Sequence, residues 1–397
     1  MKKTYIDTAM ERIAPDLILK GANVVDVFSG RVIKADVIIK DGIICGVGSY
    51  SGENEQDVSG KYIMPGFIDS HVHIESSMTQ PSEYAKAVMP HGITTVIADP
   101  HEITNVCGED GLEFMLKSAK NIPLDVNLML PSCVPATPFE HTGANLDAKT
   151  TQKLAPKFFG IGEMMNYPGI VSGDDETLGK LCLDIIDGHA PLLSGHELDA
   201  YASAGIKTDH ECSVVEEMTE KISKGMYILL REGTLSLDVA KLIKGVTPYT
   251  LRRCAFCTDD RFVGEIIRDG SIDHCIRKAV SLGLNNIDAI IMATLNACEM
   301  YGMKNKGAIA PSYVADIVVA DDLNLSSISQ VYKNGKLVCE NGKALFECET
   351  VDNSKVTNTV HLPKRSADFF KTDVKDKFDA IELIPKSIIT KKVTVSY

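Results

Sequence analysis

The sequence predicts an α/β protein: a (β/α)8 TIM barrel carrying a small β domain built from both ends of the chain. Three observations predict it. Between about residues 65 and 303, short apolar runs alternate with helical stretches, the rhythm of parallel strands joined by crossover helices. That span of about 240 residues suits an eight-stranded barrel, and the glycine-rich turn that would open a doubly wound sheet is missing after the first strand. On either side, the apolar runs become shorter and are punctuated by turns.

In chain order, the first β segment has apolar runs at 17–19, 24–27, 37–39 and 43–47, with Asp41-Gly42 as a hairpin turn. Its texture returns at 316–320, then at Val331-Tyr332, the Asn334-Gly335 turn and 336–338. The two segments are expected to pair into one domain. Barrel strands are expected at 66–68, 94–98, 126–130, 159–161, 190–193, 226–230 and 255–258, separated by helices such as 214–223. After about Phe346 the chain is polar at 351–359 and 364–377, with one more strand-like run at 380–383. The expected divisions are 1–64, 65–305, 306–346 and 347–397, with no repeat of solenoid period.

Composition narrows the function. With 397 residues, 44% apolar and 24% charged, the chain can bury a large core. Lys and Arg total 41 against 54 Asp and Glu, a net charge of −13 that repels a phosphate backbone and argues against a nucleic-acid partner. No run is long enough to span a bilayer, and Asp7, Glu11 and Arg12 precede any apolar run, unlike a secretory leader. Eleven cysteines lie scattered, with Cys254 and Cys257 the only C-x-x-C pair, as expected for reduced thiols in a cytoplasmic protein.

The chemistry begins at Asp69-Ser70-His71-Val72-His73. Side chains alternate along a strand, so His71 and His73 face the same way and can grip one ion. Alone, such a pair is more often two ordinary surface histidines. The pattern gains weight from Glu163, His189, His210 and Asp259, each at or near an end of an expected barrel strand, where parallel strands converge on one rim. Taken singly, Glu163 could cap a helix, His189 could sit in a loop and Asp259 could open a helix. Together, four imidazoles and two carboxylates suit one or two divalent transition metals. Glu163 would bridge a pair of ions roughly 3.5–4 Å apart. His91, His141, His274 and His361 have no such placement.

The stretch MPGFIDSHVH at 64–73 resembles the first-strand motif of the amidohydrolase superfamily. More narrowly, the stretches 98–103 (ADPHEI), 131–137 (PSCVPAT), 208–211 (TDHE), 230–233 (LREG) and 257–261 (CTDDR) resemble bacterial adenine deaminases, over about residues 15–345. The resemblance implies a composite β-sandwich around a metal-bearing barrel, and hydrolysis of adenine to hypoxanthine and ammonia. It implies His71, His73, Glu163, His189 and His210 as ligands, Asp259 as general base, and manganese or iron, with zinc a further option, in a binuclear site. Glu102, His101 and Glu211 are candidates for protonating the purine ring, and each could instead orient a bound imidazole. Ser132 and Arg231 are candidates to line the base pocket, against a plain packing or ion-pair role. The expected partners are a free purine base and further copies of the chain.

Departures from the family pattern fall at His196, Asp199, Ser312 and residues 347–397. A further domain normally follows in relatives. His196 could add a ligand near His189, or face solvent from a helix. Besides adenine deamination, two readings stay open: action on another cyclic amidine or amide such as guanine, cytosine or a hydantoin, and purine binding without turnover.

Overall fold

Asp41-Gly42 and Asn334-Gly335 both take positive φ at each residue, 50° and 76° in the first, 50° and 73° in the second. This mirror-image turn matches the twist of paired strands. The computed structural model describes residues 2–137, 139–371, 376–385 and 390–396. In it these turns join β2 (Arg31–Lys40) to β3 (Ile43–Gly48) and β15 (Ile328–Lys333) to β16 (Lys336–Glu340). With β1 (Leu17–Asp26), β4 (Glu55–Asp57), β5 (Tyr62–Pro65), β14 (Ile317–Ala320) and β17 (Lys343–Ala344), they form one nine-stranded sheet. The expected runs at 17–19 and 24–27 are a single strand, irregular between Leu19 and Ala22, where Gly21 takes φ 73°.

The seam between the chain's two ends is β5 against β14, antiparallel, with Ile317 opposite Pro65 and Ala320 opposite Tyr62. The sheet curls until Ile44 N–H donates to the Tyr313 carbonyl and Ala315 N–H to that of Gly42, both at 2.8 Å. Leu19, Val24, Val37, Ile39, Ile63 and Ile317 fill the inside. Val25, Met64, Val318 and Val331 look the other way and join the core that also holds barrel residues such as Phe67 and Ile93. Burying such a side chain contributes about 1.5–3 kcal/mol, so the β domain is fixed to the barrel by shared core.

The barrel strands are β6 (Phe67–Val72), β7 (Ile93–Ala98), β8 (Asp125–Leu130), β9 (Gly160–Met164), β10 (Ile186–Gly188), β11 (Thr208–Asp209), β12 (Tyr227–Arg231) and β13 (Cys254–Cys257). β6 to β10 form one parallel sheet and β11 to β13 another. A parallel bridge from Val72 to Asp259 closes one seam. At the other, Gly188 N–H donates to Thr208 Oγ1 at 3.0 Å.

One expected strand does not form. Residues 190–193 are irregular, and the strand lies earlier, at Ile186–Gly188. Pro191 has no N–H for a ladder and Leu192 takes φ 62°. His189 therefore follows its strand instead of preceding one. β11, only two residues long, carried too little apolar signal to be foreseen.

Beyond the β domain the chain runs along the barrel flank. Lys355 Nζ meets Asp110 at 2.8 Å, and Cys107 Sγ lies 3.7 Å from Thr359 Oγ1. β18 (Lys377–Leu383), which contains the expected run at 380–383, pairs antiparallel with β19 (Thr390–Ser396). Among the described residues no other strand joins this hairpin. Within the expected polar stretch 364–377, residues 372–375 lie outside the described residues.

Candidate active site

Every barrel strand ends in a polar side chain on one rim. His71 lies in β6 with His73 just after it. Asp99 follows β7 and Ser132 follows β8, while Glu163 lies in β9. His189 and His210 follow β10 and β11, Arg231 ends β12, and Asp259 comes after β13. These are the C-terminal strand ends, where the helices leave room for a site.

His71 Nε2 and His73 Nε2 stand 3.1 Å apart. Asp259 Oδ1 lies 3.1 Å from His73 Nε2 and 3.9 Å from His71 Nε2. Glu163 divides its carboxylate: Oε1 is 3.3 Å from His73 Nε2, while Oε2 is 2.6 Å from His189 Nδ1 and 3.2 Å from His210 Nε2. The six expected ligands thus share one cavity floor, in two halves joined by Glu163. All but His189 are buried.

Asp259 is held from three sides. Its N–H donates to the His71 carbonyl at 2.9 Å, and its own carbonyl accepts from His73 N–H at 3.3 Å. Its φ of 57° is a left-handed conformation that Asp tolerates better than most residues. Behind it, Arg231 spends all five N–H groups on carboxylates. Nε and Nη2 donate to Asp238 Oδ2 at 3.2 Å each, Nη1 to Asp259 Oδ2 at 2.7 Å and to Glu211, and Nη2 to Glu211 Oε2 at 3.3 Å. No donor is left for a base, and Glu211 is likewise engaged.

The remaining expected residues lie around this floor. His101 and Glu102 open the helix His101–Ser118. His101 Nδ1 is 3.2 Å from Glu163 Oε1, and Glu102 Oε2 is 3.7 Å from His73 Nδ1. Ser132 Oγ donates to the Glu163 carbonyl at 2.6 Å, orienting the strand end. His196 is exposed on the helix Gly195–Ser203, Asp199 pairs with Lys224 at 2.6 Å, and Ser312 is exposed. His91 lies away from the rim, paired with Asp273 at 3.1 Å.

Several supporting residues carried too weak a signal to be singled out. Asp99 accepts the Glu163 N–H at 3.1 Å, and its carbonyl meets His73 Nδ1 at 2.8 Å. Asp187 faces His71 Nδ1 at 3.8 Å and takes hydrogen bonds from Thr208 Oγ1 at 2.8 Å and Tyr301 Oη at 3.0 Å. Asp69 ties the end of β13 through Thr258 N–H at 3.0 Å and Oγ1 at 2.5 Å. Asp-x-His occurs three times, at Asp69-Ser70-His71, Asp99-Pro100-His101 and Asp187-Gly188-His189, and that repetition was the available clue.

The electrostatics ask for positive charge in this cavity. Burial alone would lower the pKa of His189, yet facing Glu163 raises it to about 9. Burial would raise Glu163, but His189, His101 and His210 hold it well below the carboxylate range. Asp259 is lowered likewise against its burial, by His73, His210 and Arg231. Among the described residues, the buried atoms His71 Nδ1, His101 Nδ1 and His210 Nδ1 make no hydrogen bond. Ligand atoms of His71, His73 and Glu163 lie within 4.8 Å of one another, as do those of Glu163, His189 and His210. Ligands about 2.0–2.2 Å from an ion meet that spacing, and mixed nitrogen and oxygen donors suit a divalent transition metal. The residues fit metal.

The amidohydrolase family model matches residues 62–338. The chain belongs to the amidohydrolase family. Amidohydrolases are metal-dependent, in keeping with the ligand clusters. Adenine deaminase 2 of Desulfotalea psychrophila is 47% identical over 402 residues, covering 99% of this chain and 70% of that protein. Adenine deaminase of Clostridium acetobutylicum is 48% identical, over 98% and 70%. Among solved structures, a β-aspartyl dipeptidase of Fervidobacterium islandicum AW-1 superposes with a TM-score of 0.59 at 20% identity, covering 85% of this chain and 99% of that one. A D-aminoacylase gives 0.56 at 15%, over 83% and 98%. These two bear on the fold alone, a barrel with a β-rich domain. Among the described residues no helix is long and apolar enough to cross a membrane.

Proposed function

We propose that this amidohydrolase is an adenine deaminase, which adds water to C6 of adenine and releases hypoxanthine and ammonia. The observation that carries the proposal is Glu163, one oxygen toward His73 and the other toward His189 and His210, in a chain 41–48% identical to curated adenine deaminases. His71, His73 and Asp259 would hold one ion, His189 and His210 a second, with Glu163 between them. Manganese or iron is the expected metal, with zinc a further option. When bound, such ions supply Lewis acidity that brings the pKa of water from about 16 toward neutrality.

The chain's residues do the rest. Asp259, fixed by Arg231 and His73, accepts the proton of the attacking water and passes it to the departing amine as the C6–N bond breaks. N1 of the ring gains a proton as C6 becomes tetrahedral, and its donor recovers one from the C6 hydroxyl as the carbonyl forms. Glu102 is the donor we assign: its side chain is 35% exposed at the cavity edge and Oε2 makes no hydrogen bond among the described residues, whereas Arg231 occupies Glu211 and Glu163 faces His101. Arg231 acts by holding Asp259 and Glu211, and Ser132 by holding the Glu163 backbone. The domain limits we propose are 1–64, 65–305, 306–346 and 347–397. A cytoplasmic location and assembly with further copies complete the reading.

The test is ammonia release by the Mn-loaded protein from adenine, guanine, cytosine and hydantoin. Hypoxanthine and ammonia in equal amounts from adenine are expected. Turnover of another base alone would reassign the substrate, and purine binding with bound metal but no turnover would leave a binding protein.

A further inference from the structure

The two halves of the site rest on unequal scaffolding. His71 lies in β6 and His73 directly follows it, on a strand hydrogen-bonded to β7 on one side and bridged to Asp259 on the other. His189 follows a three-residue strand and His210 a two-residue strand. Leu192, with φ 62° just after Pro191, takes the first loop out of any ladder.

Beneath both loops lies Lys221, fully buried on the helix Val215–Ser223. Its Nζ donates to the Ala190 carbonyl at 2.7 Å, to Asp209 Oδ2 at 3.0 Å and to Glu217 Oε1 at 2.8 Å. Those carboxylates in turn accept the loop amides. Asp209 takes Ala190 N–H at 2.9 Å, and the N–H groups of Glu211 and Cys212 at 3.1 Å each. Glu217 takes Leu192 N–H at 2.8 Å and Ser213 N–H at 3.3 Å. One ammonium thus holds together two carboxylates that grip the loops after β10 and β11, and it touches no candidate ligand itself.

We propose that Lys221 is a positioning residue for the His189–His210 half of the metal centre, and that it sets the affinity of the ion those histidines hold. The inference rests on the two-ion reading above. Without the ammonium, two buried carboxylates would face each other unneutralised. The loops they hold would then separate.

The experiment is calorimetric titration of the metal-free full chain with Mn2+, comparing wild type, Lys221→Met, Glu217→Gln and Ile309→Ala. Ile309 lies in the β-domain core, so its variant lowers thermal stability without touching the clamp. Lys221→Met should weaken the second equivalent by about 10- to 100-fold, the usual effect of removing a residue that supports metal ligands, and leave the first unchanged. Glu217→Gln, which retains the Lys221–Asp209 pair, should weaken the same equivalent less, and keeps the inference testable if Lys221→Met does not fold. Ile309→Ala should leave both equivalents as in wild type. Unchanged second-equivalent affinity in the clamp variants, or equal weakening of both ions, would overturn the proposal. A wild-type chain taking up one ion overturns the two-ion reading, and the clamp with it.

Discussion

Replacing Arg231 with Met separates a holding role from a base-binding one. The guanidinium is 2% exposed and is shared by Glu211, Asp238 and Asp259, all buried. Removing one member of a buried charged set costs about 3–5 kcal/mol, a large part of the 5–15 kcal/mol that ordinarily stabilises a domain. Asp259 would lose the charged hydrogen bond to Oδ2, made at 2.7 Å, and keep only the His73 side. At about 1.5–3 kcal/mol for such a bond, and about 1.4 kcal/mol per tenfold in rate, turnover should fall by about 10- to 150-fold with metal saturating. Adding Glu211→Gln removes one uncompensated charge and should restore part of the stability but not the rate. The chain has no tryptophan, so urea unfolding is best followed by far-UV circular dichroism, with ammonia release as the activity readout. An unfolding midpoint and a turnover both at wild-type values would refute the reasoning. A rise in KM alone would return Arg231 to the substrate.

Asp259→Asn should weaken the ion at His71 and His73 more than the one at His189 and His210, and with metal saturating turnover should fall by about 10²- to 10⁴-fold, as for loss of a general base; metal analysis beside the ammonia assay decides it. Because Glu163 raises His189 to about 9, the metal-free protein at pH 7 carries a proton there that metal must displace. Affinity should therefore rise with pH up to about 9, and calorimetry in buffers of different protonation enthalpy should show proton release. Release of no proton would contradict it. A side chain at Gly188 would land on the Thr208 carbonyl oxygen, so Gly188→Ala should push β10 from β11 at a cost of about 1–3 kcal/mol. Metal affinity should drop with the thermal midpoint, and a variant that kept wild-type metal affinity would show that His189 is not placed by that contact.

How much could be read from the linear sequence depended on whether a residue's signal was local. Strand alternation alone put His71 and His73 on one face, and strand ends marked Glu163 and Asp259 for one rim, whereas the strand before His210 was too short to show. The run at 190–193 misled because apolar content was read as strand while Pro191 denied it a ladder. Lys221 stands in Val-Glu-Glu-Met-Thr-Glu-Lys, a stretch that looks like a solvated helix face, and only the closed barrel buries it at 0% exposure.

The sequence by itself determined the strand and helix rhythm, the turns and the ligand types, because these depend on neighbours within a few residues. Tertiary structure alone decided that Arg231 faces three acids, that Glu163 divides its oxygens between two groups of imidazoles, and that Lys221 ties two loops. Such pairings join side chains from separate strands, and they exist only where barrel closure excludes water and leaves each charge to its protein partners.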